Sequence, residues 1–267
     1  MKLSDNSKLK SDSATQGPAI EVENLTCAYG DKPILKDVSF SVKEREILFI
    51  IGGSGCGKST LLRCMIGLLA PKSGEIRYFG KSFLNASEEE QRHILKSFGV
   101  LYQSNALWSS MTIAENIALP LEQYTTHSKT EIAEKVALKL EQVGLPGVQD
   151  LYPRELSGGM KKRAALARAL ALDPKIVFFD EPTSGLDPVT ARGMDDLILK
   201  VSKTFGTTMV IVSHELASIF SLAHRVILLD GEVQGIIAEG SPEKLAAEKH
   251  DKRISNFFTN RIQAGRN

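Results

Sequence analysis

The apolar run "ILFII", Ile47–Ile51, leads without a break into "GGSGCGKST", Gly52–Thr60, and this junction constrains the chain more than any other feature. A short, fully apolar run reads as a buried parallel strand. Gly52, Gly57, Lys58 and Ser59 fit G-x-x-x-x-G-K-[ST], and "LLRCMIGLL" then continues with helical spacing. The spacing predicts a helix that runs on until Pro71 and Gly74 stop it. A strand, a glycine-rich loop and a helix in this order make a phosphate cradle. Glycines let backbone N–H groups curl around an anion, the lysine reaches terminal phosphates, and the hydroxyl suits Mg²⁺. Gly53, Ser54, Gly55, Cys56 and Thr60 complete the set expected to bind the nucleotide.

A second strand signal supplies the other half. "IVFFDEP", Ile176–Pro182, presents Asp180 and Glu181 at its carboxyl end, the edge where open α/β sheets bind ligands. Asp180 is expected to hold Mg²⁺ through water, and Glu181 to polarise a water attacking a phosphate.

A third feature is a second anion site. "LSGGMKKRAALARAL", Leu156–Leu170, opens a helix with a Ser157 cap and two glycines, Gly158 and Gly159. Such a start points bare N–H groups and the positive end of a helix dipole outward. Lys161–Arg163 reads as a solvated basic face, and with a formal net charge of +1 nothing argues for nucleic acid.

The remaining pattern gives an α/β chain. Strand-like alternation in "IEVENLTCAY" and "VSFSV" predicts an antiparallel sheet. "EIRYFG" and "VLYQ" are further strands, separated by a Ser-capped helix in "SEEEQRHILKSFG". From Thr112 to Ala171 only helical spacing appears. Strand, helix and strand then return, and "RVILLDGEVQGII" reads as a hairpin turned at Asp230–Gly231. The expected organisation is a polar, disordered tail over 1–18, a core over 19–103 and 172–240, a helical insertion over 104–171, and an extension over 241–267. The polar start has no signal-peptide core, and no apolar run is long enough for a bilayer span, so a membrane role would need another chain. Three cysteines at no metal-type spacing are expected to be free thiols, with Cys56 a tolerated small residue or a reactive one.

Taken together, "GGSGCGKS", "LSGGM", "IVFFDE", "SGLD" and "VSHE", in the order they hold along the chain, resemble the nucleotide-binding domain of ABC-type ATPases over about residues 19–240. The resemblance implies a P-loop core of mixed sheet, an antiparallel β subdomain and an α-helical subdomain. It implies ATP and Mg²⁺ as ligands. Tyr29 would stack on adenine, Gln103 would sense the metal and the attacking water, His214 would touch the γ-phosphate and hold Glu181, and Asp187 would cross a dimer interface. It also implies a head-to-tail homodimer in which Ser157, Gly158 and Gly159 close on the ATP held by the other chain's Lys58. Met160 departs from the family, which usually has Gln there. A complete motor without a span is expected to serve an integral membrane permease dimer from the cytoplasmic face of the inner membrane. The absence of a coiled-coil insertion and of a second motif set disfavours DNA-maintenance and translation relatives. "YQSNALWSSMTIAENIALPLEQYT", "LSGGM" and the tail with "RISNFF" are similar to the Mla/Mce-type lipid-trafficking ATPases, which implies phospholipid cargo, an Mce-type substrate-binding partner and a small accessory subunit. The alternative is the motor of another small-molecule importer or exporter. The aromatic tail is expected to hold two chains together.

Overall fold

The computed structural model describes residues 17–264, with side chains as far as Thr259. Of the expected N-terminal tail, residues 1–16 lie outside the described part. Two sheets carry the fold. Strands β1 (Ile20–Tyr29), β2 (Lys32–Val42), β4 (Ser73–Tyr78) and β5 (Lys81–Ser82) form an antiparallel sheet in the order β2-β1-β4-β5. Strands β3 (Ile47–Gly52), β6 (Phe98–Leu101), β7 (Ile176–Asp180), β8 (Thr208–Val212), β9 (Arg225–Asp230) and β10 (Gly235–Gly240) form the second, in the order β10-β9-β3-β8-β7-β6. All its pairings are parallel except β9 with β10.

Period-two alternation divides the core between the faces of this larger sheet. Ile47, Phe49, Ile51, Val177 and Phe179 join one buried cluster with helices α3 (Ile113–Tyr124), α4 (Lys129–Gln142), α5 (Gly158–Ala169) and α6 (Pro188–Phe205). Leu48, Ile50, Ile176 and Phe178 point the other way, into a cluster with α1 (Lys58–Met65) and the antiparallel sheet. The P-loop helix is therefore wedged between the sheets, and the helices inserted between β6 and β7 lie on the opposite face.

Local chemistry sets the boundaries. α2 (Glu88–Leu95), α3 and α4 each open with a capping box, through Ser87–Glu90, Thr112–Glu115 and Ser128–Glu131. The fully buried Asn116 organises the loop before α3. Its Oδ1 accepts from Trp108 N at 2.8 Å, and its Nδ2 donates to the carbonyls of Trp108, Met111 and Thr112.

Three boundaries differ from the sequence reading. α1 stops at Met65, well before Pro71, because Gly67 takes φ +76° and closes a Schellman turn. Gly67 N donates to Cys64 O and Leu68 N to Arg63 O, at 3.2 and 2.8 Å. β6 covers Phe98–Leu101, and Tyr102 has already turned, its carbonyl accepting from Asn105 N. The β9–β10 connection is four residues long. Asp230 Oδ1 accepts from both Glu232 N and Val233 N at 2.9 Å, and Gln234 supplies the left-handed residue.

Two residues of the aromatic tail pack within the chain, while Phe257 stays half-buried. In α9 (Lys252–Ala264), Ile254 and Phe258 are buried on their own chain, with α7 (Leu216–Leu222) and Leu245 of α8 (Pro242–Ala247) in the same cluster. The Phe258 ring lies 6.0 Å from that of Phe220. These side chains are thus used within the chain rather than held out for a second copy. Removing a buried Phe costs about 3–5 kcal/mol. In Phe258→Ala, amide exchange over 252–259 should rise at least about a hundredfold while β3 and β7 stay protected. Hydrogen-exchange mass spectrometry on the isolated chain checks this, and unchanged exchange would return the tail to a role between chains.

Candidate active site

The carboxyl edge of the parallel strands brings the sequence motifs together. Gly52 ends β3 at φ +152°, and a Cβ there would sit 2.5 Å from Leu229 O and from Cys56 Sγ, so no other residue fits without movement. Gly57, at φ +104°, caps α1 and is packed against Leu35. Gly53, Ser54 and Gly55 are exposed at the crest of the loop, while Thr60 is buried beneath it. The Lys58 ammonium donates to the carbonyls of Gly52 at 3.0 Å and Gly53 at 2.9 Å. It is thereby folded over the loop whose N–H groups would meet phosphate. Cys56 is buried and burial pushes its thiol up, although Lys58 nearby opposes this. It is a packing residue rather than a nucleophile. All three cysteines are free, as expected.

Ser59 Oγ donates to Asp180 Oδ1 at 3.4 Å, joining the start of α1 to the end of β7. Burial raises the Asp180 carboxyl, and the Ser59 hydroxyl and the cations Arg63, Lys58 and Lys162 oppose that. A hydroxyl and a carboxylate are hard oxygen donors, the partial set that suits Mg²⁺ when phosphates and waters complete its shell.

Glu181 follows at φ +50°, an uncommon conformation for a residue with a Cβ. Its N–H donates to Val212 O at 2.9 Å, across to β8. Its Oε1 lies 2.7 Å from Nδ1 of His214, which follows β8. Its Oε2 is buried with no hydrogen-bond partner among the described residues. One carboxylate oxygen is therefore held by the histidine, and the other is free to accept a proton.

Parallel pairing of Leu101 with Phe179 ends β6 beside β7, so the loop that carries Gln103 leaves from the same sheet edge as Glu181. Gln103 is exposed, and its carbonyl accepts from Lys162 Nζ at 3.3 Å. Tyr29, at the end of β1, is 46% exposed, so its ring is open to a planar ligand. Its hydroxyl accepts from Arg63 Nη1 at 2.8 Å, a tie to α1 that no sequence pattern announces.

The second helix start lies at the surface. Ser157 caps α5, its Oγ accepting from Met160 N at 3.3 Å, and Ser157 and Gly158 are exposed. A Cβ on Gly159 would come within 2.5 Å of Thr190 Cγ2, which explains the second glycine. Thr190 in turn bonds Asp187, the cap of α6. Asp187 accepts from Val189 N, Thr190 N and the Thr190 hydroxyl, which holds its carboxyl below the usual range. Met160 packs against the larger core cluster. Among the basic residues after it, the sequence reading needs correction. Lys162 is 3% exposed and faces the interior, not solvent.

Comparison with known proteins agrees with this geometry. The family model for "ABC transporter" matches residues 35–184, more than half of the chain. The chain belongs to the ABC transporter family. It therefore carries an ATP-binding, ATP-hydrolysing domain. Among solved structures it is similar to the dimeric structure of a post-hydrolysis state of the ATP-binding cassette MJ0796 bound to ADP and Pi. That match has a TM-score of 0.75 and 30% identity over 83% of this chain and 98% of that one. The protein cbiO1 of Clostridium perfringens, part of the ABC transporter complex cbiONQ, aligns at TM-score 0.78 and 29% identity, over 93% and 98% of the two chains. Among curated proteins, the intermembrane phospholipid transport system ATP-binding protein MlaF of Haemophilus influenzae is 40% identical over 90% of this chain and 89% of its own. The methionine import ATP-binding protein MetN of Campylobacter jejuni is 41% identical, over 81% of this chain and 69% of its own.

Proposed function

We propose that the chain is the ATPase motor of a phospholipid transporter and works as a head-to-tail homodimer on the cytoplasmic face of the inner membrane. The observation that carries the cargo reading is length. Identity does not separate the phospholipid-system relative from the methionine importer, at 40% and 41%. The phospholipid-system protein, however, matches nearly end to end, whereas the importer has about a third of its length outside the match. The Escherichia coli phospholipid-system protein also matches nearly end to end, over 90% of this chain and 88% of its own.

In this reading the P-loop N–H groups of Gly53–Gly57 and the Lys58 ammonium hold the β- and γ-phosphates, and Thr60 backs the loop. Ser59, Asp180 and Gln103 would hold Mg²⁺, which when bound neutralises charge on the phosphate oxygens. Tyr29 stacks on the base. Glu181 Oε2 accepts the proton of the attacking water, and His214 fixes that carboxylate through Oε1. Ser157, Gly158 and Gly159 of the other chain close on the γ-phosphate, with Asp187 beside them at the interface. The helices of 104–171 act as a subdomain that moves with closure and passes the movement to an integral permease dimer. No helix among the described residues is long and apolar enough to cross a membrane, which fits a motor that depends on such a partner. An Mce-type substrate-binding protein and a small accessory subunit complete the proposed assembly.

The test is to purify the chain with its membrane partners, identify retained molecules by mass spectrometry, and follow labelled phospholipid between proteoliposomes and acceptor protein. Retained phospholipid and ATP-dependent transfer are expected. A retained amino acid or peptide, with lipid transfer indifferent to ATP, would leave a motor for different cargo.

A further inference from the structure

Lys162 lies in α5, between the signature start at Ser157–Gly159 and the buried alanines Ala164, Ala165 and Ala167. Lysine is almost never fully buried unless its charge is paired or hydrogen-bonded. Here the Nζ has two acceptors, and both are main-chain carbonyls of the proposed hydrolytic site: Gln103 O and Glu181 O, each at 3.3 Å. Burial pushes the ammonium down, and the nearby carboxylates Glu181 and Asp180 hold it up.

The second contact bears on an unusual residue. A left-handed, non-glycine residue persists only where its surroundings hold it. Glu181 is held at both ends of its backbone, by Val212 O on its N–H and, on its carbonyl, by Ser184 N at 3.2 Å within its own turn and by the Lys162 ammonium from α5. That conformation aims the carboxylate at His214. The first contact fixes the Gln103 peptide to the same ammonium. A hydrophobic residue would fill the space between buried alanines without the cost of burying a charge, so packing alone gives no reason for a lysine.

We propose that Lys162 is a positioning residue that ties the signature helix to the Glu181 and Gln103 backbones of its own chain. The start of that helix faces the ATP of the opposite site, and its Lys162 holds the base of the near site. The base of one site is therefore held by the same helix whose start meets the other nucleotide, which links the two sites through Lys162. This rests on the roles proposed above for Glu181 and for the head-to-tail dimer.

The experiment is steady-state ATP hydrolysis by the full complex carrying Lys162→Met, Lys162→Arg or Glu181→Gln, with thermal melting of each. In Lys162→Met, kcat should fall at least tenfold, KM for ATP should change less than twofold, and the Hill coefficient should drop towards 1. Lys162→Arg, which can still donate to both carbonyls, should recover most of kcat. Wild-type kcat and Hill coefficient in Lys162→Met would overturn the proposal. So would equal losses in Met and Arg variants that track their melting temperatures, since that is the signature of packing. If Lys162→Met does not fold, the Arg variant decides alone: near wild-type kcat and Hill coefficient support the tie, and a tenfold loss in a folded protein overturns it. Glu181→Gln keeps the two readings apart. Turnover within a fewfold of wild type there defeats the base assignment, whereas a large loss there beside an unaffected Lys162→Met defeats only the role of Lys162.

Discussion

Glu181→Gln should bind ATP as the wild type does and lose roughly 10²–10⁴-fold in turnover, the usual contribution of a general base. The expectation rests on the two oxygens having different partners. Oε1 is engaged by His214 Nδ1 at 2.7 Å, and Oε2 is buried and unpartnered. The amide is nearly the same shape, so the fold and the nucleotide contacts of the P-loop should survive. What it lacks is a carboxylate able to take a proton. Nucleotide binding by fluorescence and hydrolysis by phosphate release, both on the complex with its membrane partner, separate the two effects. Turnover within a fewfold of wild type would move the base elsewhere. Weakened binding in proportion to lost turnover would make Glu181 a binding group.

The parts of this site that were legible in the sequence are those whose chemistry is local. A phosphate loop needs glycines at fixed offsets, and Gly52 and Gly57 take conformations and contacts that a side chain would spoil. A strand end carrying Asp180 and Glu181 is announced by four apolar residues before it. The helix caps Ser87, Thr112, Ser128 and Ser157 act on backbone three residues away, so spacing reveals them. What stayed hidden depends on residues distant in the chain. Lys162 sits between two basic neighbours and reads as surface, yet the carbonyls that hold it lie 59 residues before it and 19 after it. Arg63 looks like a solvated helix residue until β1 brings Tyr29 beside it. Asn116 reads as an ordinary polar position, although it closes the loop that carries Trp108. A composition in which Lys, Arg, Asp and Glu are common gives no hint of which charges are buried. The early end of α1 was legible in principle, because Gly67 stands where a left-handed cap is needed, but the apolar spacing through Leu69 hid it. The Phe257–Phe258 pair suggested a partner surface because an isolated tail has nothing to cover. Once α7 and α8 are in place, the chain itself supplies the cover.

Two anion-binding helix starts on one chain make sense if each ATP uses one from each copy, and mixed dimers test this most directly. Take two differently tagged chains, both carrying Glu181→Gln so that bound ATP persists. Place Lys58→Ala and Ser157→Arg either on one chain or on different chains, and count occluded ATP per dimer after rapid gel filtration. With the changes on different chains, one site combines both lesions and the other keeps an intact P-loop and an intact signature, so one ATP should be retained. With both changes on one chain, each site receives one lesion, so none should be retained. A contact within the chain gives the reverse, one ATP for changes on a single chain and none when they are separated, and that result would contradict the composite site.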